Sequence, residues 1–433
     1  MAMQALGIIL VVLIVLLVIG VPISYAIGIS SLAGILLVVP LDVSVLTAAQ
    51  RTFVGMSKFS LTAIPFFILA GNLMNQGGIA KRLVNFVLAI LGKLPGSLLV
   101  TNVGANALFG AISGSASAAA AAVGSMVREG EEEQGYDPAV CAATNAASAP
   151  SGLLIPPSNA LITYSLVSGG TSVAALFLAG YVPGIIWALC CIVVAVIIAR
   201  QKGYRGRPGK FEWGSLGVAT LQALPSLSLI VVVIGGIVAG IFTATEGSAI
   251  AVVYALILGI CYRNISLKSF WRIVVDSAKM SGMIVFLIGV SNILGWVMAF
   301  TQIPQAISAA LLGITNNEIV ILLIMNVILL VAGTFMDVTP AILIFTPLFL
   351  PIVKTFGMNP IQFGLILVYN LCIGNITPPV GNTLFVSIKV GKTTLAKVMP
   401  YMLLYYVAIL AGLLLVTYVP FVSMGLPNLA GLM

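Results

Sequence analysis

Two short stretches restrict what this chain can fold into more than any other feature. They read Gly152-Leu-Leu-Ile-Pro-Pro-Ser-Asn-Ala160 and Gly374-Asn-Ile-Thr-Pro-Pro-Val-Gly-Asn382, and each lies inside a long apolar segment. Proline has no N–H to donate and its ring collides with the preceding turn, so neither segment can continue as one helix through its Pro-Pro pair. In hydrocarbon an interrupted backbone is tolerated only where protein encloses it or where it lines a polar cavity.

Hydrocarbon is the relevant solvent. The 433 residues are 61% hydrophobic and 7% charged, with a mean hydropathy of +1.19. A soluble core needs far less apolar surface, so the chain reads as an all-α polytopic membrane protein of about ten to twelve passes. The net charge of +8 does not indicate nucleic acid, because the basic residues sit in short loops between apolar runs. Residues 1–24 have no basic segment ahead of the apolar run, so they read as a retained first helix. Cys141, Cys190, Cys191, Cys261 and Cys372 show no metal-site spacing and read as small packing residues. There is no histidine, which removes the commonest proton shuttle, general base and metal ligand.

Apolar runs cover roughly 5–24, 25–41, 61–76, 96–127, 138–168, 173–199, 219–241, 246–262, 280–300, 318–353, 361–388 and 399–422. The runs 96–127 and 318–353 are too long for single spans and carry polar knots, Ser113-Gly-Ser-Ala-Ser117 and Asp337-Val-Thr-Pro340. Both are expected to be re-entrant hairpins, and 43–58, 80–94 and 303–316 to be interfacial helices. Landmarks recur at a nearly constant offset. Gly20 matches Gly240 and Asn72 matches Asn292 at 220, while Ser117 matches Thr339, Gly152 matches Gly374, and Pro156-Pro157 matches Pro378-Pro379 at 222. The expected organisation is a first repeat over 1–205, a basic linker over 206–214 and a second repeat over 215–433. Each repeat has one hairpin and one broken helix, at about 138–168 and 361–388. Breaks at matching positions of two halves point to the binding site of a secondary transporter.

With both termini outside and an odd number of crossings per half, 16 basic residues fall in the cytoplasm (Lys81, Arg82, Lys93, Arg128, Arg200, Lys202, Arg205, Arg207, Lys210, Arg263, Lys268, Arg272, Lys279, Lys389, Lys392 and Lys397). Only Arg51, Lys58 and Lys354 fall outside. That asymmetry favours this orientation over its mirror image and makes the repeats inverted.

Of the eleven acids, only Glu246 and Asp337 fall well inside apolar segments or hairpin tips. A carboxylate there is costly, which makes each a candidate site residue. Asp337, beside Thr339, offers hard oxygen ligands suited to Na⁺, whereas Glu246 suits a helix cap. Ser113, Ser115 and Ser117 form the matching hydroxyl cluster in the first half. Around the breaks lie Asn145, Ser148, Ser151, Ser158 and Asn159, then Asn370, Asn375, Thr377, Asn382 and Thr383. Unwound carbonyls there could hold Na⁺, and helix N-termini could face a carboxylate. The acidic run Glu129-Gly-Glu-Glu-Glu133 reads as a solvated loop. No Gly-x-x-x-x-Gly-Lys-Ser/Thr occurs, so ATP hydrolysis is not expected.

Gly20-Val-Pro-Ile-Ser24, Pro65–Asn72, Phe109–Ala118, Leu154-Ile-Pro-Pro-Ser158, Phe242-Thr-Ala-Thr-Glu246 and Ile376-Thr-Pro-Pro-Val-Gly-Asn382 together resemble the large membrane subunit of TRAP (tripartite ATP-independent periplasmic) transporters, over essentially the whole chain. The resemblance implies the ion-transporter-superfamily fold, with a scaffold and a mobile domain carrying both hairpins and both broken helices. It implies an elevator mechanism driven by Na⁺, with about two or more ions, no ATP and no redox cofactor. The implied first Na⁺ site draws on Ser113, Ser115, Ser117, Asn145 and Gly152, and the second on Gly333, Asp337, Thr339, Gly374 and Thr377. Substrate would lie near Ser115, Ser158, Asn159, Thr339, Asn382 and Thr383. The implied partners are a small four-helix membrane subunit, expected as a separate polypeptide, and a periplasmic substrate-binding protein. The implied location is the bacterial inner membrane. The stretch 156–170 resembles members that carry sialic acid, and a C4-dicarboxylate is the other expected cargo type. A stand-alone Na⁺/dicarboxylate or anion transporter of the same superfamily is the alternative. An intramembrane enzyme is disfavoured by the lack of histidine and the scarcity of buried acids. A channel is disfavoured by two hairpins that close from opposite faces.

Overall fold

The computed structural model describes residues 2–206, 213–315 and 317–432. The first half runs α1 (Ala2–Val18), α2 (Ile23–Ile35), α3 (Leu41–Met56), α4 (Ala63–Gln76), α5 (Ile79–Leu91), the hairpin α6 (Ser97–Ser113) and α7 (Ala116–Glu133), the interrupted series α8 (Pro138–Ser148), α9 (Ser151–Leu154) and α10 (Asn159–Val167), and then α11 (Val173–Lys202). The second half follows the same order. It comprises α12 (Trp213–Val238), α13 (Ala244–Cys261), α14 (Leu267–Phe300), α15 (Ile303–Ile314), the hairpin α16 (Glu318–Phe335) and α17 (Val338–Thr355), α18 (Pro360–Gly374), α19 (Asn382–Val390) and α20 (Leu395–Tyr418). A final helix, α21 (Pro420–Leu429), follows. Most of the basic linker, including Arg207 and Lys210, lies outside the described residues.

Among the described residues, seven helices are long and apolar enough to cross a membrane, or eight if the bent pair α3–α4 counts as one span. This falls below ten to twelve because the interruptions cut the broken segments short, and because α1, α2 and α6 are themselves only 17, 13 and 17 residues long. The halves also differ ahead of their hairpins. α3 and α4 meet at a 59° bend, whereas α14 occupies the corresponding stretch as one continuous helix of 34 residues. Pro65 lies in the first turn of α4, where it has no N–H to give the Leu61 carbonyl four residues back and its ring crowds that carbonyl, so an unbroken helix cannot run through it from α3. The matching position 220 residues on is Val285, which continues the helix. The structure therefore extends the expected run 280–300 back to Leu267. Lys268, Arg272, Asp276 and Lys279 recur at three- and four-residue spacing and stay exposed, while Ile273 and Ser277 face inward.

The interrupted helices are the innermost elements. Ala139–Ser148 of α8 and Ile361–Gly374 of α18 are buried without exception. Each packs against the first arm of its own half's hairpin at a pair of glycines, Gly110 with Gly152 and Gly333 with Gly374. A Cβ on Gly152 would stand 2.2 Å from the Gly110 Cα, and one on Gly374 would stand 2.4 Å from the Gly333 Cα. Only glycine allows the backbones so close.

Buried amides pin the same pairs. Asn106 Nδ2 lies within hydrogen-bonding distance of the oxygens of Asn102 (2.7 Å), Asn145 (3.0 Å) and Ser148 (2.9 Å), and Ser148 donates to Asn102 Oδ1. In the second half Asn370 donates to Asn326 Oδ1 at 2.8 Å and Asn326 donates to Thr417 at 3.2 Å. α11 and α20 close the backs of the breaks. Gly180 of α11 lets the chain approach the Leu154 carbonyl, where a Cβ would stand 2.3 Å from the oxygen. The matching carbonyl, that of Ile376, accepts from the Tyr406 hydroxyl at 2.6 Å.

Gly374→Ala is expected to destabilise the detergent-solubilised chain by about 1–3 kcal/mol or to block its folding, because backbone rather than a movable side chain faces the new methyl. Gly282→Ala, on α14 with nothing within 4 Å, is the near-neutral control in the same thermal unfolding measurement. In a double-mutant cycle, Asn326→Ala and Asn370→Ala should couple by about 0.5–2 kcal/mol.

Candidate functional site

Both hairpin tips are built by helix caps. At the first, Gly114 turns the chain at φ 62° and Ser115 caps α7, its Oγ accepting from the Ala118 amide at 3.3 Å. Ser115 and Ser117 hydroxyls lie 3.2 Å apart, and Ser113 donates weakly to the Gly110 and Ser115 carbonyls. At the second tip Asp337 caps α17, its Oδ1 accepting from the Val338 amide at 2.9 Å. The breaks are shaped alike. Both Pro-Pro bonds are cis, and the chain resumes as α10 after the cap Ser158 and as α19 after Gly381.

A cavity of about 130 Å³ separates the two tips. Its walls include Ser113, Ser115, Ser117, Asn159, Asp337, Thr339 and Asn375, with Asn72 of α4 and the apolar side chains of Ile68, Leu153, Met280 and Ile284. Of the residues expected to bind ions, Ser113, Ser115, Ser117, Asp337 and Thr339 therefore face one space. Of those expected to bind substrate, Ser115, Asn159 and Thr339 do. The others lie off the cavity wall. Ser158 is buried and donates to the Leu153 carbonyl, and Asn382 is exposed at the start of α19. Thr383 is buried, with its Oγ1 unpartnered within the chain. Gly152, Gly333 and Gly374 form the backbone contacts described above. Asn145 donates to the Ala120 carbonyl and to Ser387, tying α8 to α7 and α19. Thr377 donates to the Ile373 carbonyl at 2.7 Å.

Asn72, Asn375 and the four apolar residues were not among the expected ligands. The match of Asn72 with Asn292 was the one available signal for Asn72. Its amide donates to Ser277 of α14 at 2.8 Å, joining the two helices that close one side of the cavity. Met280 and Ile284 gave no signal, because an apolar residue on a membrane helix is unremarkable until its neighbours are known. Glu246 forms a capping box with Thr243. Thr243 N and Oγ1 donate to its carboxylate at 2.8 and 2.9 Å, and its own amide donates to Thr243 Oγ1 at 3.2 Å. That is the structural role its position suggested.

Three helix N-termini open on the cavity, those of α7, α10 and α17, each bringing unpaired amides and the positive end of a helix dipole. Such ends suit an anion. Hydroxyls, a carboxamide and one carboxylate at the tips are hard oxygen donors that suit an alkali cation.

The family model of the tripartite ATP-independent periplasmic transporter, DctM component, matches residues 10–422. The uncharacterized protein YgiK of Salmonella typhimurium is 49% identical over 415 residues, which span 96% of this chain and 95% of that protein. The C4-dicarboxylate TRAP transporter large permease protein DctM of Rhodobacter capsulatus is 37% identical over 436 residues, spanning 97% and 98% of the two chains. Among solved structures, the YdaH transporter of Alcanivorax borkumensis superposes with a TM-score of 0.59 at 14% identity, over 85% of this chain and 87% of that one, a likeness of fold alone. The chain is thus an all-helical, multi-pass membrane protein that belongs to the DctM component family of tripartite ATP-independent periplasmic transporters.

Proposed function

We propose that this chain is the large membrane subunit of a Na⁺-coupled importer of an organic acid, working by an elevator movement of the domain that holds both hairpins and both broken helices. The observation that carries the reading is the single cavity between the tips, where three helix N-termini meet Asp337 and a ring of hydroxyls. The first ion is assigned to the hydroxyls of Ser113, Ser115 and Ser117 with carbonyls near Gly152. The second is assigned to Asp337 and Thr339 with Thr377 and carbonyls near Gly333 and Gly374. A carboxylate-bearing substrate lies between them, against Ser115, Asn159 and Thr339, with the α7, α10 and α17 N-termini balancing its charge. It belongs to the C4-dicarboxylate or sialic acid type, a reading supported by the Rhodobacter capsulatus relative and by the stretch 156–170.

A periplasmic binding protein delivers the substrate and a small four-helix subunit completes the membrane unit. The two halves are inverted repeats with both termini periplasmic, as the distribution of basic residues favours. Sodium entering with the substrate supplies the driving force, and the shared cavity lets substrate and ions move together.

The test separates ion binding from helix capping. Asn caps a helix about as well as Asp, so Asp337→Asn keeps the hydrogen bond to Val338 while removing the charge. Both Asp337→Asn and Asp337→Ala are expected to abolish Na⁺-driven uptake by the reconstituted complex, Asp337→Asn at unchanged thermal stability and Asp337→Ala with the loss of about 1 kcal/mol that removing a cap costs. Full uptake by Asp337→Asn would overturn the second ion site. Uptake is also expected to require the binding protein and the small subunit. Transport by this chain alone in liposomes would instead make it a stand-alone transporter.

A further inference from the structure

The acidic run Glu129–Glu133 does not form a loop. α7 continues through it to Glu133, and the helical spacing that buries Val123 and Val127 turns Glu131 inward as well. Glu131 is 5% exposed, the most enclosed carboxylate among the described residues, and lies at the end of α7 remote from the hairpin tip. Among the described residues no salt bridge neutralises it. The guanidinium of Arg128, one turn earlier, is committed to Glu132 and to the Val390 carbonyl (2.7 Å). The carboxyl instead faces a void of about 10 Å³, room for about one water molecule, whose wall includes Asn102 of α6, Cys141 and Asn145 of α8, Ser387 of α19 and Gly391 just past it. Two buried polar atoms on this void lack any partner in the chain, Glu131 Oε1 and Asn102 Nδ2. An acceptor and a donor left open on the same small space are what a bridging water satisfies.

We propose that this pocket is a proton-binding site, in which the Glu131 carboxyl takes up and releases one proton beside a single water held by Asn102. With the proton on, a neutral acid sits among apolar neighbours. When the proton leaves through the water to solvent, the carboxylate keeps the Asn102 amide, through the water, and the Cys141 thiol as donors. Arg128 and Glu132 are the charged groups near it on its own helix. α8 presents the Cys141 thiol, and Tyr136 lies in the α7–α8 connection. α6 presents Asn102, and α19 presents Ser387 and Val390 at the pocket, none of which titrates. Burial, opposed by the Cys141 hydrogen bond and by Arg128, lifts the carboxyl to about 7. The site thus titrates near neutral pH, where the hairpin's second arm joins α8 of one half to α19 of the other. It does not depend on the ion or substrate assignment above.

The sign of the pH effect follows from linkage. The folded chain keeps a proton that the unfolded chain gives up at ordinary carboxylate pH. The stability owed to this group is therefore intact at acid pH, declines as the pH rises to about 7, and is level above that.

The test uses the purified full chain in detergent, without Na⁺ or substrate. pH-difference infrared spectra of the wild type should show a protonated-carboxyl C=O band that disappears with a midpoint near pH 7, and Glu131→Gln should lack it. The wild-type unfolding midpoint should fall relative to Glu131→Gln between pH 5 and pH 7.5. If Glu131→Gln fails to fold, Cys141→Ala reports instead. Loss of the thiol donor should move the infrared midpoint to higher pH. Persistence of the band in Glu131→Gln, a flat stability difference, or an unmoved midpoint in Cys141→Ala would each overturn the site.

Discussion

A helix that stops inside a membrane leaves amides and carbonyls that lipid cannot satisfy, and the architecture of this chain is organised around that constraint. The solution is enclosure. α8 and α18 are buried throughout after their first residue, and the carbonyls at their ends are met by other parts of the protein. Ser158 donates to Leu153, Tyr406 donates to Ile376, and the Asn375 carbonyl accepts from the Thr383 amide at 3.2 Å. Enclosure this tight needs backbones in contact, which explains Gly110 against Gly152 and Gly333 against Gly374. Without those four glycines the hairpins could not lie against the breaks, and the tips could not meet across a shared cavity.

The second consequence is polar. Once the interrupted helices are inside protein, buried amides can hold them in register. Asn102, Asn106, Asn145 and Ser148 do so in the first half, and Asn326 and Asn370 in the second. These residues, which resemble ligands in sequence, hold helices in register, although Asn102 Nδ2, Asn106 Oδ1 and Asn370 Oδ1 each remain without a partner in the chain. The cavity itself is formed mainly by caps. Ser115, Ser158 and Asp337 each stop one backbone and start another helix, leaving three N-termini directed at one space. The same device that ends the helices creates the electrostatics of the site.

Much of this was legible residue by residue. The Pro-Pro pairs marked the breaks, the serine cluster and Asp337 marked the tips, and the constant offset paired them. Glu246 was legible as a cap from Thr243 three residues before it. What escaped reading depended on neighbours distant in sequence. Asn72 acquires its role from Ser277, 205 residues away. Met280 and Ile284 become cavity wall only because α14 passes the second tip. Glu131 lay in an acidic run that local composition assigns to solvent, and only the packing of α7 on α8 and α19 turns it inward.

By itself the sequence determined the solvent, the two interruptions, the hairpin positions and the family, because composition, proline geometry and motif spacing act locally. It also held the reason the halves differ, Pro65 against Val285, although the resulting 59° bend and the unbroken α14 emerged only in three dimensions. Tertiary structure alone decided which polar groups face the cavity and which are consumed in holding helices together. The physical reason is that a hydroxyl or amide in a membrane protein must bond to something. Which partner it finds depends on close approach between segments far apart in the chain.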